Sequence, residues 1–540
     1  MQVSELSYAP PGRDTIFFDL SFSLSIGDHA GLIGDNGLGK TTILRILTGE
    51  LAPDDGETAI GGSFLYLRQD IGFEDPEQSI REMLLEVAPT DLRSSGEELL
   101  AAERSLSDDP DAGVRLSLAL SDWGDRGGYE LEQQWDRALT TVVGTDLQGL
   151  AGRRASELSG GERKRVLLEI LLRSTVDILL LDEPDNYLDI PGKLWLERAL
   201  QASPKTILLV SHDRALLGNA VDKLIVLEGG SCWIHHGTYS SFPAARDDRH
   251  ERLGDELRRW NDEERRLYRH YKIMKQRAAV NFKNAPKANA AESRWKRFMA
   301  KGPPEPPPQA QKVGIRLRGG DSARRAVVFE RYRLGDLIRP FSEEITFGEH
   351  VGLIGPNGAG KTQLLRSIAH ARLPSVRIGN RVSAGLFTQV GDRPDFGGRQ
   401  LLDIVGSRGG GEQVAMSLLA RYGLQREYRQ EFETLSGGQK ARLEILWLEV
   451  EGSNLLLLDE PTDHLDIDSS EALEAALDTF VGTVLAVSHD RAFLARLDRF
   501  LMLMSNGDVY ALPDFDTALE ALQAPGTTPR VKLARRLTLG

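Results

Sequence analysis

The chain holds a single cysteine, Cys232, among its 540 residues. That excludes an internal disulfide framework and suits a reducing compartment. No apolar run approaches the roughly 20 residues that a membrane-spanning helix needs. The longest runs are strand-sized, such as Ile178-Leu179-Leu180-Leu181, so the chain is not expected to cross a membrane by itself. The opening Met1-Gln2-Val3-Ser4-Glu5 has neither a basic start nor an apolar stretch, and no signal peptide is expected. Charged residues at 27% and hydrophobic ones at 41% describe an ordinary soluble globular protein, with room for three or four domains. A net positive balance is concentrated in one place. The whole chain carries −14, yet residues 271–325 hold fourteen Lys and Arg against three Asp and Glu. A basic segment between acidic modules is an address for a polyanion.

On either side of that segment stands one copy of the same set of landmarks, in the same order. Gly34-Asp35-Asn36-Gly37-Leu38-Gly39-Lys40-Thr41 returns as Gly355-Pro356-Asn357-Gly358-Ala359-Gly360-Lys361-Thr362. Gln69 returns as Gln389, Leu158-Ser159-Gly160-Gly161 as Leu435-Ser436-Gly437-Gly438, Leu181-Asp182-Glu183-Pro184 as Leu458-Asp459-Glu460-Pro461, and Ser211-His212-Asp213-Arg214 as Ser488-His489-Asp490-Arg491. The later landmarks share one offset of 277 residues; the first half carries about 43 extra residues between Gln69 and Ser159. Ala30–Ile33, Val351–Ile354, Ile178–Leu181, Ile207–Val210, Leu455–Leu458 and Val484–Val487 read as buried strands, with helices after each glycine loop. Strands alternating with helices predict an α/β fold, a parallel sheet covered on both faces, twice over.

Both glycine loops match G-x-x-x-x-G-K-[ST], whose backbone amides close on phosphates at a helix N-terminus. Lys40 and Lys361 would reach the β- and γ-phosphates of ATP, and Thr41 and Thr362 would ligate Mg²⁺. Gly34, Asn36, Gly37, Gly39 and Thr42, with Gly355, Asn357, Gly358, Gly360 and Gln363, complete the two cradles. Asp182 and Asp459 end apolar strands, where a carboxylate holds the metal. Glu183 and Glu460 then stand where a water would be oriented or deprotonated. His212 and His489 follow further strands and are read as γ-phosphate contacts. Leu-Ser-Gly-Gly precedes a helix in both halves and offers a second anion site at its N-terminus.

These motifs in this order resemble the ATP-binding-cassette ATPases. Two cassettes in one chain with a charged linker, Ser-His-Asp-Arg after each switch strand, and Gly237-Thr238-Tyr239-Ser240 closing the first cassette resemble the ABC-F subfamily. The resemblance implies a monomer whose two P-loop cassettes pair head to tail around two ATP molecules. Lys40, Thr41, Gln69, Asp182, Glu183 and His212 would work with Ser436, Gly437 and Gly438. Lys361, Thr362, Gln389, Asp459, Glu460 and His489 would work with Ser159, Gly160 and Gly161. Gln69 and Gln389 would join the Mg²⁺ shell, and Tyr8 and Tyr332 are candidates to stack on adenine, with core packing as the other reading. It further implies a cytoplasmic ATP hydrolase bound to the 70S ribosome, with its linker near 23S rRNA and a P-site or E-site tRNA. Antibiotic protection and relief of translation stalls both fit. Two alternatives stand beside it, a transport motor with separate membrane subunits and a DNA-repair type ATPase. The subfamily usually reads Glu-Pro-Thr-Asn-His-Leu-Asp; here the halves read Glu183-Pro184-Asp185-Asn186-Tyr187-Leu188-Asp189 and Glu460-Pro461-Thr462-Asp463-His464-Leu465-Asp466.

The expected domains are a first cassette over 1–243, a helical linker over 244–325, a second cassette over 326–524 and a disordered tail over 525–540. Leu253, Leu257, Trp260, Leu267, Tyr271 and Met274 give the linker's first helix one apolar seam, with Glu264 in its gap. A tip at Asn284-Ala285-Pro286 and a second helix over about 288–299 follow. Lys272, Lys275, Arg277, Lys283, Lys287, Arg294, Trp295, Lys296 and Arg297 are the expected RNA contacts, phosphates meeting the charges and bases the ring. The extra residues, about 94–134, read as a helical hairpin turning at Asp108–Asp111.

Overall fold

A computed structural model of the chain describes every residue except 13, 73–74, 106–111, 151, 309–312, 321, 323, 371–373, 389–392, 409, 524–533 and 539–540. The chain forms two compact units, Met1–Ile234 with Gln311–Gly540, and His235–Ala310.

The first unit contains both cassettes. Each is built on a sheet whose strands are apolar along their full length because helices cover both faces. In the first cassette the order is Phe64–Leu67, Ile178–Asp182, Thr206–Val210, His29–Gly34, Lys223–Glu228, Ser231–His236, and the first five are parallel. In the second it is Ala384–Phe387, Leu455–Asp459, Thr483–Val487, His350–Ile354, Arg499–Leu503, Val509–Leu512, Arg535–Leu537. Every strand read from the sequence is present. Each half adds a small antiparallel sheet that the sequence reading lacked: Phe17–Ser23, Gln2–Tyr8 and Asp55–Ala59, and Ile338–Thr346, Arg325–Leu334 and Val376–Ile378. Register shifts break the alternation in these strands, which is why a period-2 pattern was not visible.

Three expectations change. The insertion is three helices, Thr90–Arg104, Ala112–Asp125 and Gly128–Val142, not a hairpin. Gly127 at φ 89° stops one helix and starts the next, a break that sequence periodicity passes over. Trp123 and Trp135 are fully buried between them, ring centroids 6.2 Å apart. The turn expected at 108–111 lies outside the described residues. The tail contributes an edge strand: Arg535–Leu537 pairs antiparallel with Val509–Leu512, Leu537 is buried, and Arg536 reaches Asp508 at 2.6 Å; the remainder, 524–533 and 539–540, lies outside the described residues. The linker's end also moves, because Val313, Ile315 and Leu317 alternate onto the second cassette's core.

The second unit is a helical hairpin, Phe242–Val280 and Ala285–Met299, turning through Phe282–Asn284. Leu267 is buried in its seam, and Leu253, Leu257, Trp260, Tyr271 and Met274 are half-buried. Trp260 stacks on Phe298 at 5.3 Å, and Tyr271 lies parallel to Trp295 at 5.8 Å. Trp295 Nε1 donates to Glu264 Oε1 at 3.3 Å, which fills the seam's gap. Trp295 is therefore spent on packing the hairpin, and its assignment as an RNA contact is corrected. The eight cations assigned with it are all exposed. Among the described residues no helix is long and apolar enough to cross a membrane.

Removing the Trp295 ring should loosen the hairpin alone. Trp295→Ala is expected to raise amide exchange across 260–271 and 291–298 by about tenfold, with the parallel sheets unchanged. Unchanged exchange in those segments would mean the stacking carries no local stability.

Candidate active site

The two glycine loops are held open by backbone that only glycine tolerates. Gly39 at φ 85° and Gly360 at φ 92° turn each loop into its helix, Lys40–Leu47 or Lys361–Ala369. A Cβ on Gly355 would lie 2.1 Å from the Leu503 carbonyl oxygen. The first amides of each helix thus face outward at a positive dipole end. Lys40 Nζ donates to the carbonyls of Gly34 and Asp35 at 2.7 and 3.1 Å; Lys361 Nζ does the same with Gly355 and Pro356 at 2.8 and 3.0 Å. Burial lowers the pKa of both lysines, and Glu183 or Glu460 opposes it.

Asp182 and Asp459 end the buried strands beside these loops. Burial raises both carboxyls, opposed most by Thr41 and Thr362. Thr362 Oγ1 donates to Asp459 Oδ1 at 3.1 Å, while both Asp182 oxygens are buried without a hydrogen bond. A threonine hydroxyl and an unsatisfied carboxylate are hard oxygen donors suited to Mg²⁺. The next residues, Glu183 at φ 46° and Glu460 at φ 51°, occupy strained left-handed backbone, as do Tyr187 and His464 further on. Burial, then the neighbouring aspartate, raises Glu183; burial pushes Glu460 up to about 7, with Lys361 opposing. His212 and His489 are held near 3 by burial, hence neutral. His489 Nε2 lies 3.4 Å from Glu460 Oε1, and its backbone N–H donates to Glu460 Oε2 at 3.0 Å. The His212 ring is 4.0 Å from Glu183 and makes no hydrogen bond, whereas Asn186 Nδ2 donates to Glu183 Oε2 at 2.5 Å.

The halves complete each other. One cavity of about 620 Å³ is lined by Asn36, Gly37, Gly39, Lys40, Thr41, Thr42, Gln69, Glu183 and His212 from one cassette, and by Ser436, Gly438 and Gln439 from the other. A second, of about 630 Å³, joins Asn357, Gly358, Gly360, Lys361, Thr362, Gln363, Asp459, Glu460 and His489 to Ser159, Gly160 and Gly161. Ser159 and Ser436 cap the helices Gly160–Arg173 and Gly437–Glu451, aiming those N-termini into the opposite cassette's site. Asn36 Nδ2 donates across to the His464 carbonyl at 3.0 Å. Gly437 packs against the His464 ring rather than lining the cavity. Lys164, driven down to about 8 by burial, donates to the Gln69 carbonyl at 3.3 Å and so fixes that loop. Gln389 lies outside the described residues.

The adenine-stacking assignment fails for Tyr332. Tyr332 is fully buried among Phe329 and Phe341 and donates to Ser367 Oγ at 3.0 Å, so its faces are closed. Tyr8 is half-buried and leans on Phe17 at 6.2 Å, and Ile16 lines the first cavity. Sequence reasoning also missed the residues that join the cassettes. Arg214 forms ion pairs with Glu474 and, at 3.3 Å, with Asp490. Arg491 reciprocally pairs with Glu197 and lies 3.7 Å from Asp213. The signal was present: Arg214 and Arg491, and Glu197 and Glu474, obey the same 277-residue offset.

The family model described as ABC transporter matches residues 17–186 and 338–463. An antibiotic resistance protein of Mycobacteroides abscessus is 42% identical over 94% of this chain and 98% of its own length. The energy-dependent translational throttle protein EttA of Haemophilus influenzae is 31% identical over 90% of this chain and 88% of its own. Among solved structures, RNase-L Inhibitor superposes with a TM-score of 0.54 at 19% identity, covering 97% of this chain and 92% of that one, a likeness of fold.

With Glu183→Gln leaving one working site, turnover should follow ionisation of Glu460. A carboxyl pushed up to about 7 must lose its proton to accept one from water, so the rate rises with pH. The increase between pH 6 and pH 8 is expected to be about tenfold, measured as phosphate release from ATP. Glu460→Gln in the same background should remove turnover altogether. A rate flat across that range would show that Glu460 does not act as the base.

Proposed function

Because the chain belongs to the ABC-F subfamily of ATP-binding-cassette ATPases and is an ATP hydrolase, we propose that it is a cytoplasmic ribosome-protection factor. In this reading the ATP-bound, closed form binds the 70S ribosome, its linker contacts 23S rRNA and a P-site or E-site tRNA, and hydrolysis releases it. The observation that carries the proposal is the linker: a helical hairpin in which Lys272, Lys275, Arg277, Lys283, Lys287, Arg294, Lys296 and Arg297 are all exposed, in a chain of net charge −14. Such a surface attracts phosphate backbones while the acidic cassettes do not. The near full-length likeness to a protein named for antibiotic resistance supports protection over stall relief.

The reaction follows from the two composite sites. Loop amides and Lys40 or Lys361 hold the phosphates, and the opposite Ser-Gly-Gly helix end covers them. Thr41 with Asp182, and Thr362 with Asp459, would hold Mg²⁺, joined by Gln69 and Gln389. Bound there, Mg²⁺ supplies neutralisation of charge on the β- and γ-phosphates. Glu183 and Glu460, kept basic by burial, orient water and take its proton. His212 and His489, neutral and beside those carboxylates, are placed to hydrogen-bond the γ-phosphate.

Glu183→Gln with Glu460→Gln should trap the closed form and pellet with 70S ribosomes in ATP but not without it. Replacing Lys283, Lys287, Arg294 and Arg297 by Gln should weaken that association about tenfold or more and flatten its salt dependence. In cell-free translation, the unaltered chain should restore synthesis in the presence of a ribosome-targeting antibiotic. A trapped protein that ignores ribosomes at physiological salt would end the proposal.

A further inference from the structure

Between the two cavities lies a wall belonging to both, and Lys193 stands in it. Its side chain is 12% exposed; Nζ is 3.0 Å from Asp213 Oδ2 and 4.0 Å from Asp185 Oδ2. Asp185 is fixed in turn by Ser211 Oγ, which donates to it at 2.8 Å. From the second cassette, Asp463 lines both cavities with Lys193, and Asp490 lines the first of them. One ammonium therefore faces carboxylates from both cassettes, while Arg491 and Arg214 serve Asp213 and Asp490 from the outer side.

The arrangement is one-sided. By the 277-residue offset, Asp185 matches Thr462 and Lys193 matches Ser470. In the second cassette Thr462 Oγ1 lies 3.4 Å from Ser488 Oγ, the counterpart of the contact between Asp185 and Ser211. One copy thus carries an aspartate and a lysine at the positions where the other carries a threonine and a serine, and Asp463 occupies the position that is Asn186 in the first copy. Without Lys193, the wall would present Asp185, Asp213 and Asp463 to one another and to two incoming polyphosphates. Like charges brought together out of water oppose closure.

We propose that Lys193 is a positioning residue shared by both ATP sites, whose ammonium neutralises the carboxylates meeting at the cassette interface and so allows both sites to close on nucleotide. It touches no reacting atom in this role. It acts through the alignment of the two walls, so its loss is read mainly in the KM for ATP, and at both sites together.

The test uses the full chain without ribosomes, measuring phosphate release against ATP concentration. Two backgrounds, Glu183→Gln and Glu460→Gln, each leave one working site. Lys193→Met should raise KM about tenfold in both, with kcat changed less, and Lys193→Arg should restore KM to within about threefold. Asp185→Thr with Lys193→Ser, which installs the second cassette's own neutral pair, should recover most of the loss in both backgrounds. An effect in one background only, no effect, or a double variant as impaired as Lys193→Met would overturn the proposal. If Lys193→Met does not fold, judged by its circular dichroism melt, Lys193→Gln replaces it with the same expectation. The inference rests on the glutamate roles given above. If a background variant keeps full turnover, those roles fail, and Lys193→Met in the otherwise unaltered chain decides: a raised KM supports the proposal and an unchanged one overturns it.

Discussion

The reciprocal crossing of Arg214 to Glu474 and Arg491 to Glu197 is the constraint on which the site depends. Each arginine ends a run of three consecutive residues. His212 or His489 faces Glu183 or Glu460, Asp213 or Asp490 caps the following helix through its first amides, and the arginine crosses to the other cassette. Docking of the cassettes is thereby set two peptide bonds from His212 or His489. Glu474 at 1% exposure and Glu197 at 6% are almost fully desolvated. Glu474 keeps Arg496 at 3.0 Å when Arg214 is lost, but Glu197 without Arg491 is left with the Asn219 amide at 3.2 Å. A buried carboxylate stripped of its charged partner costs about 3–5 kcal/mol. The contact therefore penalises every misaligned docking, and correct docking is what brings each Ser-Gly-Gly to the opposite glycine loop.

Duplication preserved backbone more faithfully than side chains. Glu183 and Glu460, and Tyr187 and His464, repeat the same left-handed conformations at matched positions. Strain kept in both copies belongs to the geometry of the site. Yet the glutamates are held differently, Glu183 by the Asn186 amide and Glu460 by the His489 backbone. Their environments differ enough that equal rates at the two sites are not required by the fold.

The sequence made legible whatever is written locally: glycine loops, apolar strands ending in Asp-Glu, helix caps, and the heptad-like seam of the linker. Contacts spanning 260 or 294 residues, such as Arg214 with Glu474 or Arg491 with Glu197, carry no local pattern, and only the repeat offset relates their members. Aromatics misled it twice for one reason. Tyr332 and Trp295 stand close to charged or phosphate-binding features in sequence, but their large apolar area is worth more in a core or a helix seam than at an exposed contact. The third insertion helix was hidden by the Gly127 break, and the tail strand by its brevity, since three residues carry no period.

Gln69, Asp185, Asn186, Lys193, Asp463 and His464 line both cavities at once. In evolutionary terms these positions are pleiotropic: a substitution at any of them is selected on its effect at two sites together. Specialisation of one site has to be written elsewhere, on walls it does not share, such as Ile16 and Arg442 for one cavity or Tyr187 and Gln363 for the other. The common wall would change slowly and by compensated pairs, and an aspartate facing a lysine where the other copy keeps threonine and serine has the form of such a step.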